Sequence, residues 1–412
     1  MRTIENESLA TLTDRAVDAL TSVLPSLEAW TETVRPEDGT PGRFRWARES
    51  TREANVAATA YILGGLERAG ILDRVWTTKD REAAIDWVRA MHIGNEQYRD
   101  PALVDRPSPN WPPDQPWPSA AMLGGNNQYA RKVLGHSGVD LSALPPDNPP
   151  PGWPQADDAP ATMLEWVKSR PYDTNAWSAC SHGMRMATYM LRWHKEGRFP
   201  LEPLIDALAF FYSIQDPDTG LWGNATQSKH VRINGTFKLF PLMRENLDLP
   251  IPYADGIVDQ VLAEFARPDY DDTACGCDEW DNWYVLALVR DQVEADRDDL
   301  LRKVAAWRIA RVLDVFRKKD GGLSFHPGHC NTHWIGFDMA PKLPQGDAMG
   351  LGILPAGLSV CIDLLGIEDA TPWTNGWRMR QREDEALRTD IEIRVRDRVP
   401  HLQSAEDRHK RP

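Results

Sequence analysis

The stretch Gln215-Asp216-Pro217-Asp218-Thr219-Gly220-Leu221-Trp222-Gly223 decides the fold. A shorter copy occurs as Lys319-Asp320-Gly321-Gly322-Leu323-Ser324-Phe325, and a looser copy, Glu37-Asp38-Gly39, leads to Phe44. Each copy follows one amphipathic helical pattern and precedes another. Because turns that recur between helices are typical of stacked helical hairpins, the sequence predicts a repeat architecture.

Apolar residues recur at helical spacing along the chain, as in the stripe of Val258, Leu262 and Phe265. The pattern predicts twelve helices in six pairs. The outer helices are expected at about 10–33, 80–93, 158–168, 201–214, 253–266 and 296–317, and the inner helices at about 50–69, 118–135, 174–195, 231–247, 279–292 and 347–365. Small residues in the inner segments, such as Ala57 and Gly352, let helices crowd around one axis. The prediction is an all-α fold, an (α/α)6 toroid of six helical hairpins in two concentric rings.

No linker interrupts this register, so one toroid domain is predicted over residues 1–375. Residues 376–412 are predicted to form a charged C-terminal tail or a peripheral helix. Two connections, 94–117 and 136–157, are rich in proline with interspersed tryptophan. Loops of this length are usually functional or disordered, and the tryptophans favour an ordered lid over the mouth of the barrel.

Composition narrows the class of protein. The net charge of −14 over 412 residues, with no basic face, argues against a nucleic-acid partner. The first eleven residues lack an apolar signal core, and no apolar run reaches the ~20 residues that span a bilayer. Five cysteines at irregular spacing do not indicate a disulfide framework. The expectation is a cytoplasmic protein acting on a small-molecule or oligosaccharide substrate, with a homo-oligomer left open.

Polar residues stand near the start of every predicted inner helix. In a toroid these starts gather at one end, where helix dipoles and free N–H groups suit anionic or hydroxyl-rich ligands. The candidate binding and catalytic residues are Asn126, Asn127, Tyr129, Trp177, His182, Arg185, Arg232, Asn234, Lys238, Asp281, Asn282, Tyr284 and Asp347. Helix capping is the alternative role for Asn126 and Asp347, as for Asn55 and Asn175 at other helix starts. A core position is the alternative for His182.

Two chemistries compete for a sugar ligand. Hydrolysis needs two carboxyl groups, which Asp281 and Asp347, or Asp278, could supply. β-Elimination from a uronate needs its carboxylate neutralised, a role open to Asn126, Arg232, Asn234 or His182. It also needs a base, for which Tyr129, Tyr284 or His182 are the candidates. The residues alone leave both chemistries open.

A metal is the less favoured alternative to a site without any cofactor. His326, His329, Cys330 and His333 lie within eight residues, and Cys275-Gly276-Cys277 comes one hairpin earlier. Zinc prefers such nitrogen and sulfur ligands. Without zinc, His333 is predicted to be a substrate-binding residue at the mouth.

The stretch Gln215–Gly223 resembles the glutamine–tryptophan (QW) repeat of the terpenoid cyclase and protein prenyltransferase superfamily, a resemblance that implies an α/α toroid. The stretch Pro268-Asp269-Tyr270-Asp271-Asp272-Thr273-Ala274 looks like the acidic motif of class II terpene cyclases. By that resemblance Asp271 would be the general acid that protonates an alkene. The motif is predicted to lie in a loop before a helix that begins near Glu279.

From 173 to 365 the chain is also similar to uncharacterised α/α-toroid proteins of bacterial glycan gene clusters. A more distant likeness is to toroid polysaccharide lyases and six-hairpin glycosidases. The resemblance runs through Gln215–Gly223, Asn234-Gly235, Ile257-Val258-Asp259 and Cys277-Asp278. It implies a carbohydrate-active enzyme, a lyase or a glycosidase, acting in the central funnel. A class II terpene cyclase and a non-catalytic glycan-binding protein are the alternatives.

Overall fold

The chain is mostly helical. The computed structural model describes residues 7–94, 97–105, 107–109, 111, 114, 117–144, 149–150, 152–374, 382–400 and 402. These residues are 61% helix and 3% strand, which confirms the all-α prediction. The contacts divide the chain into two compact units, where the sequence predicts one domain. Unit 1 is 1–150, 268–280 and 300–377, and unit 2 is 151–267, 281–299 and 378–412.

Sixteen α-helices and one short hairpin form in the described residues. The first seven helices are α1 Leu9–Thr33, α2 Val56–Arg68, α3 Leu72–Val75, α4 Thr78–Ala90, α5 Pro101–Val104, α6 Ala120–His136 and α7 Pro160–Lys168. The next five are α8 Ala176–Lys195, α9 Glu202–Ser213, α10 Lys229–Phe240, α11 Ala254–Phe265 and α12 Tyr270–Thr273. The last four are α13 Gly276–Val289, α14 Ala295–Phe316, α15 Ala348–Leu365 and α16 Glu385–Arg398. The antiparallel strands are β1 His333–Trp334 and β2 Phe337–Asp338.

The repeated phrase forms a turn closed by an antiparallel bridge after α9 (Gln215 with Trp222) and after α14 (Arg317 with Leu323), whereas Arg45 N donates to Val34 O at 2.8 Å across the longer connection after α1. In the longest copy Gln215 Nε2 donates to the carbonyls of Gly220 (2.7 Å) and Pro252 (2.9 Å), and Trp222 Nε1 donates to Phe211 O at 2.7 Å. Gly220 has φ +70°, a conformation that glycine adopts without steric cost. The glutamine and tryptophan thus tie the end of α9 to the turn that follows it and to the segment that precedes α11.

In unit 1, α2 packs between α6 and α15. The Cβ of an alanine at Gly65 would lie 2.1 Å from Leu351 O, so glycine is required where α2 meets α15. Helix α15 is the one described helix long and apolar enough to cross a membrane, with a mean hydropathy of 1.8 over 18 residues. It is 89% buried inside the protein, as expected of a core helix.

Gly65→Ala is expected to lower the free energy of unfolding by about 1–3 kcal/mol, because the added methyl group forces α2 and α15 apart. Gly124→Ala is the matched control, since no described atom lies within 4 Å of the Cβ it adds. That control is expected to be neutral or to stabilise the protein by about 0.5–1 kcal/mol. Denaturant unfolding of both variants checks the pair, and equal stabilities would contradict the close approach.

In unit 2, α8 packs against α9 and α10, and α7 packs against α9. Helix α16 forms in the charged C-terminal stretch and packs on α9, where Arg394 and Arg398 pair with Glu202. This part of the stretch forms the peripheral helix that was one of its two predictions. Residues 375–381, 401 and 403–412 lie outside the described residues.

Candidate active site

His182 lies beside a pair of tryptophans in unit 2. Its ring centroid is 5.1 Å from that of Trp153 and 6.3 Å from that of Trp166, and the two tryptophan rings are 4.4 Å apart. All three side chains are partly exposed. Trp153 belongs to the second proline-rich connection, so that connection brings a tryptophan to a predicted catalytic residue. Whether it is a lid stays a prediction.

Two arginines complete this group. The Arg170 guanidinium lies 4.2 Å from the centre of the Trp166 ring, and that of Arg185 lies 5.4 Å from the centre of the Trp153 ring. Both distances are in the range of cation–π contacts. We call Trp153, Trp166, Arg170, His182 and Arg185 the His182 cluster.

The local sequence explains how the cluster is held. Asn175 caps α8 by accepting from Ser178 N at 3.0 Å, which orients the helix that carries His182 and Arg185 three residues apart. Arg185 also donates to Tyr189 Oη at 3.2 Å. Arg170 Nε donates to the carbonyl of Trp166 at 3.0 Å, one turn earlier in the chain.

Electrostatics keep His182 neutral. Burial lowers the pKa of His182 below its usual value of 6.5, and the charges of Arg170 and Arg185 lower it further. A neutral imidazole can accept a proton, and the flanking guanidinium groups can pair with a carboxylate. The His182 cluster therefore combines a base, cations and aromatic stacking surfaces.

The other predicted residues of unit 2 form smaller groups. Trp177 meets His230 edge to face at 5.4 Å, and both are partly exposed. Lys238 Nζ lies 4.4 Å from the centre of the Phe237 ring, whose centroid is 4.8 Å from that of Tyr284. These contacts join Trp177, Lys238 and Tyr284 to apolar or aromatic neighbours.

Four further candidates of unit 2 are buried. Arg232 donates to Asp216 at 2.6 Å and to Thr219 at 2.8 Å. Its charge therefore ties α10 to the turn of the repeated phrase, which argues for a structural role. Asn234, Asp281 and Asn282 are also buried, and the roles predicted for them stay predictions.

The candidates on α6 of unit 1 have mixed surroundings. Asn127 Oδ1 accepts from Tyr98 N at 2.7 Å, which is a structural contact. Tyr129 Oη and Tyr61 Oη are 2.5 Å apart, and burial raises the pKa of Tyr129 well above its usual 10. A phenol so resistant to ionisation is unsuited to act as a base. Asn126 lies in the second turn of α6 and is not its cap, and neither amide atom has a hydrogen-bond partner among the described residues.

Two more candidates of unit 1 have structural contacts. Asp347 caps α15, accepting from the backbone N–H groups of Gly350 (2.8 Å), Phe325 (2.8 Å) and Asn331 (2.9 Å). Burial raises its pKa to about 7 despite these bonds. His333 is exposed and pairs through Nε2 with Asp338 at 2.6 Å across the β1–β2 hairpin.

Asp271 lies in an ion-pair network. The acidic motif forms the single turn α12 and not the loop that the sequence predicts, and α13 begins at Gly276, earlier than expected. Asp271 accepts from Arg308 and, at 2.5 Å, from Arg311. Burial opposes ionisation of Asp271, but the two arginines outweigh it and lower its pKa. An ionised carboxylate argues against the general-acid role that the cyclase resemblance implies.

The histidine and cysteine residues do not assemble a metal site in the part of the chain that the structure describes. His326 and His329 are 4.7 Å apart between ring centroids, and burial with the neighbouring charges of His329 and Lys342 lowers the pKa of His326 to about 4. A hydrogen bond with Cys277 and burial raise the pKa of the Cys275 thiol. The zinc alternative thus gains no support.

Sequence reasoning identified His182 and Arg185 but missed Trp166 and Arg170 as cluster members. The spacing of Trp166 and Arg170, four residues apart at the end of an amphipathic helix, was the available signal. No protein-family model matches the chain, and no curated protein matches it.

Proposed function

We propose that this protein is a carbohydrate-active enzyme that cleaves a uronate-containing saccharide by β-elimination at the His182 cluster. We further propose that its paired helices form the six hairpins of an (α/α)6 toroid of the kind found in polysaccharide lyases. The order and spacing of the twelve predicted helices and the matching turns after α9 and α14 support that fold. The observation that carries the function is a neutral histidine beside a pair of tryptophans, each of which has an arginine over its ring.

Each part of the cluster meets one need of the reaction. The faces of Trp153 and Trp166 provide apolar surface for a sugar ring. Arg170 and Arg185 pair with the uronate carboxylate and stabilise the negative charge that develops when the carbon beside it loses its proton. Neutral His182 takes that proton as general base. The bond between the ring carbon and the glycosidic oxygen breaks as a carbon–carbon double bond forms between the two ring carbons. The protonated His182 then returns its proton to the departing oxygen.

The alternatives fit the geometry less well. Hydrolysis needs a pair of carboxyl groups at a defined separation, and the five residues of the His182 cluster include none. Cyclisation needs a protonated aspartic acid, whereas Asp271 is paired with Arg308 and Arg311. A glycan-binding protein would use the stacking surfaces and the charges of the cluster without any proton transfer. The test must therefore distinguish binding from turnover.

The test is incubation with a panel of uronate polysaccharides while ultraviolet absorbance reports the unsaturated product. The carboxyl-reduced form of each polymer is the matched control. Absorbance is expected to rise with at least one uronate polymer and not with its reduced form. New reducing ends without a rise in absorbance would show that the enzyme cleaves by hydrolysis and not by elimination. Binding measured by calorimetry in the absence of turnover would show that the protein is a glycan-binding protein and not an enzyme.

A further inference from the structure

Three side chains at the β1–β2 hairpin of unit 1 form a continuous chain of hydrogen bonds. Thr332 Oγ1 is 2.7 Å from His333 Nδ1, and His333 Nε2 is 2.6 Å from Asp338 Oδ1. We call Thr332, His333 and Asp338 the hairpin triad. The triad shares no residue with the His182 cluster, and the proposed uronate chemistry does not use it.

The backbone pairing of the hairpin explains why His333 and Asp338 meet. His333 lies opposite Asp338 in the register of the two strands, and Met339 N donates to Thr332 O at 2.8 Å. Pairs with and without backbone hydrogen bonds alternate along an antiparallel ladder, so the pair of His333 and Asp338 is one without them. Side chains of such pairs lie on one face and approach each other most closely.

Tertiary contacts hold the strand that carries Asp338. The rings of Trp334 and Phe337 are buried and stack with their centroids 5.7 Å apart. Asp338 N donates to Ser108 Oγ at 2.9 Å, and Asp338 O accepts from Arg52 Nε at 2.9 Å. The position of the Asp338 carboxylate is therefore fixed from both sides of its backbone, as a group that orients another side chain requires.

The turn of the hairpin is fixed at a conformational cost. Its two residues, Ile335 and Gly336, have φ +45° and +88°, as in a type I′ turn. A β-branched residue rarely adopts a positive φ, and it keeps one only where the surrounding structure imposes it. Ile335 Cδ1 lies 2.8 Å from the position of a Cβ at Gly125 on α6. Contacts outside the hairpin thus help to set the register that places His333 opposite Asp338.

The order of the hydrogen bonds determines the role of each group. A carboxylate only accepts hydrogen bonds, so in the neutral imidazole Nε2 of His333 carries the hydrogen and donates to Asp338. Nδ1 is then left with a lone pair, and the Thr332 hydroxyl donates to it. A hydroxyl, a base and an orienting carboxylate in this order are the arrangement that activates a nucleophile.

The hairpin triad is open to substrate. The side chain of His333 is 60% exposed, that of Asp338 is 21% exposed, and Thr332 is partly exposed. An exposed ion pair contributes little to stability, so the stability of the hairpin is a weak reason for this arrangement. The same exposure lets a substrate reach the Thr332 hydroxyl and lets water follow it.

We propose that the hairpin triad is a second catalytic site, which hydrolyses carboxylic esters through an acyl-threonine intermediate. Thr332 is the nucleophile, His333 is the general base and acid, and Asp338 positions the imidazole. An ester suits this chemistry because its carbonyl carbon accepts the hydroxyl oxygen and its alcohol leaves with a single proton.

The reaction has two balanced halves. The Thr332 hydroxyl gives its proton to His333 Nδ1 as its oxygen bonds to the carbonyl carbon, and the alcohol oxygen then leaves with that proton. In the second half water gives a proton to Nδ1 and attacks the acyl group, and the Thr332 oxygen leaves and takes the proton back. One ester and one water thus become one alcohol and one carboxylic acid.

Release of p-nitrophenol from p-nitrophenyl acetate tests the proposal. Thr332→Val removes the hydroxyl with little change of shape and His333→Gln removes the base, so each is expected to slow release about tenfold or more. His92→Gln is the matched control and should keep the wild-type rate, since His92 is an exposed histidine of the same unit whose ring meets Tyr98 at 5.5 Å. Equal rates for the wild type and Thr332→Val would overturn the proposal. A loss in His333→Gln that Thr332→Val does not share would also overturn it, because His333 itself would then be the nucleophile.

The role of Asp338 has its own test. Asp338→Asn is expected to slow release, and Asp338→Glu should recover part of the rate because it restores a carboxylate that can orient His333. Thermal unfolding of both variants should match that of the wild type, since the ion pair is exposed. Equal rates for the asparagine and glutamate variants would contradict a positioning role for this carboxylate.

Mass spectrometry of acid-quenched protein gives an independent measurement. The wild type is expected to carry an acetyl group on Thr332 during the reaction, and hydroxylamine should remove it because it is an ester. Acetyl groups on lysine are amides and resist this treatment. His333→Gln should lack the acetyl group at Thr332, and its absence from the wild type throughout the reaction would contradict the intermediate. Because no uronate takes part, the result is independent of the function proposed for the His182 cluster.

Discussion

His182→Gln is expected to lower kcat/KM on the active uronate polymer by about 10²–10⁴-fold while leaving the fold intact. Glutamine keeps much of the size and polarity of histidine but cannot accept the proton from the carbon beside the carboxylate. His194→Gln is the matched control, because His194 lies on the same helix and contacts Phe199 O at 3.1 Å, outside the His182 cluster. Unchanged turnover in His182→Gln would remove this residue from the mechanism.

The pH profile separates a base from a merely structural histidine. Because burial and the two arginines lower the pKa of His182, kcat/KM should rise with pH through a value below 6.5 and level off above it. The active form is the neutral one, so activity is lost as the pH falls. Arg185→Met removes one of the repelling charges and should move this acid limb to higher pH. If the acid limb of the pH profile does not shift in Arg185→Met, the assignment of His182 as the base is contradicted.

Arg308→Met is expected to lower the free energy of unfolding by about 3–5 kcal/mol, because it leaves a buried carboxylate without its partner. Arg308 and Glu279 are each 1% exposed, and Arg308 donates to both oxygens of Glu279. Burial already raises the pKa of Glu279 with the arginine present, so the unpaired glutamate must take up a proton or disrupt the core. Denaturant unfolding measures the loss.

Two variants make this second prediction specific. Arg311→Met removes a partly exposed partner of Asp271 and should cost about 1 kcal/mol or less. The double variant Arg308→Met with Glu279→Met should recover most of the stability, because no buried charge is left unpaired. A double variant as unstable as Arg308→Met alone would mean that packing, and not the ion pair, explains the loss.

Asp271→Asn tests whether the ion-pair network of Asp271, Arg308 and Arg311 takes part in the reaction. Under the proposed uronate chemistry the substitution should leave activity unchanged, since Asp271 serves only to pair with Arg308 and Arg311. Under cyclase chemistry it would abolish activity. Turnover of the active uronate polymer by the variant is the measurement, and a loss of turnover would contradict a purely structural role for Asp271.

Helical periodicity predicted the elements well because it depends on residues close together in the chain. All twelve predicted helices form in the described residues, several with ends within two residues of the expected ones, as for α1 and α8. The start of α13 was placed too late, because Gly276 reads as a helix breaker in isolation. In the folded protein Gly276 N donates to Phe325 O at 2.8 Å, a contact between residues far apart in sequence.

The candidate site was only partly predictable. His182 and Arg185 could be identified because one helix carries both on one face. Arg232 was expected to bind substrate, yet it pairs with Asp216 of the repeated phrase, and Asp347 caps α15. A polar residue near a helix start can bind a ligand or complete the structure, and its sequence pattern is the same in both cases.

The sequence alone determined the helical class, the order of the helices and the turns that join them, since spacing of apolar residues and turn chemistry are local properties. Only the tertiary structure decided which polar side chains have protein partners and which face open space. Burial and then neighbouring charge lower the pKa of His182, which favours the neutral imidazole, whereas burial opposes and two arginines impose the lowered pKa of the ionised Asp271. The burial of a side chain and the charges near it both depend on residues that folding brings together, and no local sequence pattern encodes them.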